Sequence, residues 1–95
     1  MTLQELKARR QRIIDIAKRN HAANIRVFGS VSRDEATETS DIDFLVSFLP
    51  GATLLDQVGL IAELGSELGQ EVDVVSDRAL NRHLRDRILQ EAQAL

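Results

Sequence analysis

The segment DIDFLVSF, residues 41–48, constrains this chain more than any other. Side chains alternate along a strand, so Ile42, Phe44, Val46 and Phe48 share one face while Asp41 and Asp43 share the other. Burying the apolar face forces both aspartates outward together. A second apolar run, Asn24–Phe28, carries Ile25, Val27 and Phe28 and stops at Gly29-Ser30. Ten residues, Val31–Ser40, then separate Ser30 from Asp41. The chain thus places a turn able to approach an anion closely before a strand that opens on paired carboxylates.

The remaining elements follow from periodicity and capping. Thr2 with Glu5 forms a capping-box start, and Leu3, Leu6, Ile13, Ile14 and Ala17 recur at helical spacing up to Asn20. Ser30 to about Glu38 reads as a short helix or turn, with a loop at Thr39-Ser40. After Pro50-Gly51, the residues Leu54, Leu55, Val58, Ile61, Leu64 and Leu68 predict an amphipathic helix ending near Gly69. Glu71–Val75 reads as a third strand, with Asp73 opposite Val72 and Val74. Asp77 caps a last helix through Leu80, Leu84, Ile88, Ala92 and Leu95. This order predicts an α/β fold, a small mixed sheet of three or slightly more strands with helices mainly on one face. A right-handed crossover through the long helix makes the second and third strands parallel, which brings Asp73 beside Asp41 and Asp43.

At 95 residues, the expectation is one domain over 1–95, without room for a separate acceptor-binding domain. A large acceptor then has to come from another chain, so a homo- or hetero-oligomer fits. With 43% hydrophobic and 28% charged residues, the composition is that of a folded protein. The net charge of −3 argues against direct nucleic-acid binding, and three Phe without Trp or Tyr offer no stacking platform. Arg-rich helix faces at either end read as solvated surface, and His21 and His83 as surface residues. Absence of Cys rules out disulfides and thiolate metal sites. No apolar run is long enough for a membrane span and none resembles a secretory signal, so a cytoplasmic location is expected.

Magnesium takes oxygen ligands, commonly one or two carboxylates plus substrate phosphates, which is what Asp41 and Asp43 offer, with Asp73 as a third ligand. Three neighbouring carboxylates repel one another, so metal-free protein is expected to be the less stable form. Two such ions can activate an attacking hydroxyl and stabilise departing pyrophosphate. Gly29 admits a phosphate to the backbone, Ser30 supplies a hydroxyl and an amide, and Arg33 supplies a guanidinium. Each residue has a plainer reading. An isolated Asp-any-Asp is more often a solvated strand edge, Ser30 can serve as a helix cap, Arg33 can pair with Asp34, Glu35 or Glu38, and Asp73 can simply be exposed. The combined Gly-Ser and Asp-any-Asp spacing, however, arises by chance on the order of once in a thousand chains of this size.

That spacing resembles the signature of nucleotidyltransferases related to DNA polymerase β, and in particular their minimal members. Arg33 and Ser40 match two further positions of the minimal group, and the valine-rich strand followed by LNRHLRDRILQEAQ extends the similarity over nearly the whole chain. The resemblance implies a polymerase β-like fold with Gly29 and Ser30 on the triphosphate and Asp41, Asp43 and Asp73 on two magnesium ions. It further implies an antitoxin that transfers AMP from ATP to a tyrosine hydroxyl of a HEPN-type toxin. Ser32 and Asp34 depart from the group, which more often has Ala and Gly there. The extra charge of Asp34 leaves open an antitoxin that acts by binding alone, and nucleotidyl transfer to a small molecule shares the same motif.

Overall fold

The computed structural model describes all residues, Met1–Leu95. In chain order the elements are α1 (Leu3–Ala8), α2 (Arg10–Arg19), β1 (Ala22–Phe28), α3 (Gly29–Ser32), β2 (Ile42–Phe48), α4 (Leu54–Leu68), β3 (Val72–Ser76), a 3-10 turn (Asp77–Ala79), α5 (Arg82–Glu91) and β4 (Gln93–Ala94). The sheet order is β3-β2-β1-β4. β2 runs parallel to β3 and antiparallel to β1, and β4 pairs antiparallel with the outer edge of β1. No helix is long and apolar enough to cross a membrane.

The alternation in β2 decides how the layers stack. Ile42, Phe44 and Val46 are fully buried with Val27 and Val74 of the neighbouring strands, and Leu6, Ile13, Leu60 and Leu64 of the helices close over them. Each fully buried side chain of this size stabilises the fold by about 1.5–3 kcal/mol. Asp43 lies on the other face, where Leu45 is also buried between its register partners Arg26 and Val75. That second face is therefore not wholly open: its apolar middle is covered and its carboxylate end is accessible.

The strand limits shift by one or two residues from the sequence expectation, and the helices differ more. The first helix is two, because Arg9 leaves helical geometry (φ −105°, ψ 13°). No Gly or Pro announces this break; the Arg9 guanidinium instead reaches across to the Glu67 carbonyl at 3.2 Å. The helix after β1 is a single turn ending at Ser32, with Asp34 already left-handed at φ +59°. On α4 the expected core residues Leu54, Leu55 and Val58 are 75%, 81% and 56% exposed, and Leu60 is buried in their place. At 100° per residue Leu60 stands about 200° round the helix from Val58, so two apolar stripes compete and the sheet covers only one. Finally, α5 starts at Arg82, capped by Asn81 rather than Asp77, and stops at Glu91. The unpaired edge of β1 captures Gln93–Ala94 as a strand, so Leu95 is not on the last helix.

Two contacts fix α4 against the N-terminal half. Its start has a reciprocal capping box, Asp56 accepting from the Thr53 amide at 2.8 Å, and the other Asp56 oxygen lies 3.0 Å from His21 Nδ1. The Thr53 amide, then His21, hold the Asp56 carboxyl below its ordinary range. Further along, the buried Asn20 amide donates to the Ile16 carbonyl at 2.9 Å and to Glu63 at 3.0 Å. A Cβ on Gly59 would lie 2.6 Å from the Asn20 Oδ1 atom. Because two hydrogen bonds hold Asn20 in place, Gly59→Ala is expected to destabilise the protein by about 1–3 kcal/mol in denaturant titration, overriding the ~1 kcal/mol that Ala gains in a helix. A stabilised variant would show that the two helices do not meet at this point.

Candidate active site

The face opposite the core gathers its charged residues where β1 ends and β2 and β3 begin. Parallel register makes Asp43 and Asp73 direct neighbours, and antiparallel register sets Phe28 across from Asp43. The chain turns immediately after Phe28, so Gly29 arrives over the start of β2. Asp41 stands one residue ahead of that strand, exposed, with Ser40 behind it closing the loop: the Ser40 hydroxyl accepts from the Thr37 amide at 2.9 Å. The Ser at this position thus folds the loop that delivers the first aspartate.

Gly29 is determined by two independent constraints. Its φ of +74° is a conformation that side chains disfavour by about 1–2 kcal/mol. A Cβ there would also fall 2.2 Å from Asp43 Oδ2. The Asp43 carboxylate therefore occupies the space that a side chain at position 29 would fill, which brings the turn and the carboxylate pair into one site. Ser30 is half-buried in the next position, and its carbonyl accepts from the Glu35 amide at 2.8 Å to close the turn.

Arg33 hangs over the same turn. Its guanidinium pairs with Glu91 and, at 3.0 Å, with Glu35, so one of the surface partners expected from sequence is present beside one that was not. Glu91, then Glu35, hold the Arg33 guanidinium above its ordinary pKa. Ser32, one of the two departures from the minimal pattern, donates to the Glu91 carbonyl at 2.6 Å and accepts from the Gln93 amide at 3.2 Å. Asp34, the other, sits in the left-handed region where Gly costs nothing, and is exposed. Glu91 carried no signal of its own in the sequence, being one carboxylate on a charged helix that only the fold brings to this turn.

The donor set fits a hard divalent cation. Asp43 is held above its ordinary carboxyl pKa by burial, then by repulsion from Asp73 and Asp41. No group of three or more carboxylate or imidazole side chains is drawn tightly enough to cage a metal unaided. Any cation held here would have to take part of its oxygen shell from outside the protein, as magnesium commonly does. Because the folded pKa of Asp43 is raised, the metal-free fold loses stability as pH rises from the ordinary carboxylate range through that higher value. Asp43→Asn is therefore expected to melt above the parent protein in EDTA at pH 7, the gap closing on acidification and on adding magnesium to the parent. Equal melting temperatures at every pH and metal concentration would contradict this.

Comparison with known proteins identifies the family. The family model described as a nucleotidyltransferase domain matches residues 10–95. A Methanocaldococcus jannaschii protein with the provisional name of a protein adenylyltransferase is 45% identical over 92 residues, which is 97% of this chain and 96% of that protein. A solved structure, provisionally a minimal nucleotidyltransferase, superposes with a TM-score of 0.89 at 47% identity, covering 100% of this chain and 97% of that one. A toxin–antitoxin crystal structure with AMP-PNP gives a TM-score of 0.76 at 26% identity, over 88% of this chain and 69% of that one. This chain belongs to the nucleotidyltransferase domain family, as a minimal nucleotidyltransferase.

Proposed function

We propose that this protein transfers AMP from ATP to a hydroxyl, on a tyrosine, of a HEPN-type partner toxin, and so acts as its antitoxin in the cytoplasm. The observation carrying the proposal is the approach of Asp43 to Gly29, which puts a phosphate turn and a carboxylate pair within reach of one triphosphate. The AMP-PNP-bound toxin–antitoxin relative and the protein adenylyltransferase name of the Methanocaldococcus relative support the substrate and the partner class.

In this reading Gly29 and Ser30 present amide and hydroxyl donors to the phosphates, and Arg33 places its charge where pyrophosphate departs. Asp41, Asp43 and Asp73 would hold magnesium, which would supply charge to polarise the phosphates and to lower the pKa of an attacking hydroxyl. Asp73, exposed on the edge strand β3, would take the proton that the acceptor hydroxyl gives up. A bond forms from the acceptor oxygen to the α-phosphorus as the bond to the bridging oxygen breaks, and pyrophosphate leaves. The exposed Leu54, Leu55 and Val58 of α4 offer apolar area for a protein acceptor supplied by another chain.

The test is mass measurement of a co-expressed HEPN-type partner after incubation with magnesium and ATP. AMP-sized additions are expected with the parent protein and none with the Asp41→Ala, Asp43→Ala double variant. Arg33→Ala is expected to lower turnover by about 10²–10³-fold. An unmodified partner that is still neutralised, by the double variant too, would replace this reading with an antitoxin that works by binding alone. Labelling of a small molecule and not of the partner would move the acceptor to that class.

A further inference from the structure

The donors assigned above to the phosphates are not idle. The Gly29 amide donates to Glu91 Oε2 at 3.3 Å, and the Arg33 guanidinium pairs with Glu91 Oε1. A single carboxylate, its side chain only 15% exposed, thus bridges the backbone donor of the turn and the cation beside it. An anionic group bound by one amide and one guanidinium has the chemistry of a phosphate oxygen pair. It also approaches the same Gly29 turn that Asp43, a second anion, lies against, and the two repel each other.

We propose that Glu91 is an internal stand-in for a nucleotide phosphate, and that the triphosphate must displace it from Gly29 and Arg33, releasing the C-terminal residues 92–95 as it binds. The proposal rests on the nucleotide-site reading and adds how access to that site is governed.

The tail, residues 92–95, is held by few contacts. Strand β4 has two residues, both exposed, and two register pairs with β1, and of the segment only the partly buried Leu95 packs against the core. A two-residue edge pairing contributes little on its own, so its opening lies at the low end of the local stability scale. Beyond that pairing, Gln93 Nε2 donates to the Ser32 carbonyl at 3.1 Å and to its hydroxyl at 3.2 Å, and the Ser32 hydroxyl donates to the Glu91 carbonyl. The side-chain contacts of Gln93 and the Glu91 carbonyl thus meet at Ser32, on the turn assigned to the phosphates, so moving Glu91 loosens residues 92–95 and holding them keeps Glu91 seated. Helix α5 adds little counterweight, since Arg82–Arg87 are exposed and only Ile88, Leu89 and Glu91 are partly buried. The Ser32 departure acquires a role here: a hydroxyl at this position fastens the tail, which an Ala could not do.

Two opposite roles of Glu91 give opposite signs. A carboxylate that competes with phosphate weakens nucleotide binding, whereas one that merely orients Arg33 strengthens it. The measurement is the affinity of the full chain for AMP-PNP with magnesium, by calorimetry, for the parent, Glu91→Gln, Glu91→Ala and Arg33→Ala. Glu91→Gln keeps an oxygen for the Gly29 amide while removing the charge, and is expected to bind about tenfold more tightly, or ~1.4 kcal/mol. Glu91→Ala should move in the same direction, and Arg33→Ala should bind more weakly than the parent. Hydrogen exchange of the Gln93 and Ala94 amides should quicken when AMP-PNP is added to the parent. Equal or weaker binding by both Glu91 variants, with the parent binding normally, would overturn the stand-in role and leave the nucleotide site intact. No binding by any of the four proteins would overturn both.

Discussion

The close approach of Gly29 to Asp43 is the constraint on which the rest of the site depends. A left-handed turn with no Cβ lets the carboxylate of one strand lie against the backbone that leaves another. Neither part is useful alone: a turn without carboxylates holds only an anion, and carboxylates without the turn hold only a cation. Together they suit a metal-bound polyphosphate, in which both charges arrive at once. The core makes that juxtaposition rigid, because Phe44 and Val46 anchor β2 from below while Val27 anchors the strand that leads into the turn.

The electrostatics of the site are those of a structure awaiting a ligand. Asp43 is held near its own kind, with Asp73 in register and Asp41 two residues before it. Such crowding is costly in the folded protein and is relieved by a cation. On the other side of the turn, an arginine and a backbone amide already grip a carboxylate of the last helix. The protein thus carries an excess of negative charge where metal would sit and a substitute anion where phosphate would sit. In the proposed mechanism substrate and ion replace these internal partners.

Much of this arrangement was legible from residue order. The alternation in residues 41–48 gave the buried face of β2 and the direction of its aspartates, and a helical crossover gave the parallel neighbour that brings Asp73 alongside. Gly29 was recognisable as a place for close approach, although the sequence pointed to an incoming phosphate and the structure adds Asp43. What local pattern could not show were contacts decided at long range. The break at Arg9 is held by Glu67, the end of the last helix by a free strand edge, and the exposure of Leu54 and Leu55 by which of two apolar stripes the sheet covers. Glu91 belongs to the same class. One acidic residue among many on a charged helix acquires meaning only when the fold delivers it to Gly29 and Arg33.

The most direct test of the account is to add manganese in place of magnesium, with and without AMP-PNP, to isotopically labelled protein and follow paramagnetic broadening of the backbone amide signals. Signals of Gly29, Ser30, Asp41, Asp43 and Asp73 are expected to broaden together when metal is added, and at lower metal concentration when AMP-PNP is present. Broadening centred on other acidic positions, such as Glu63 or Glu67, with the Gly29 turn unaffected, would contradict it.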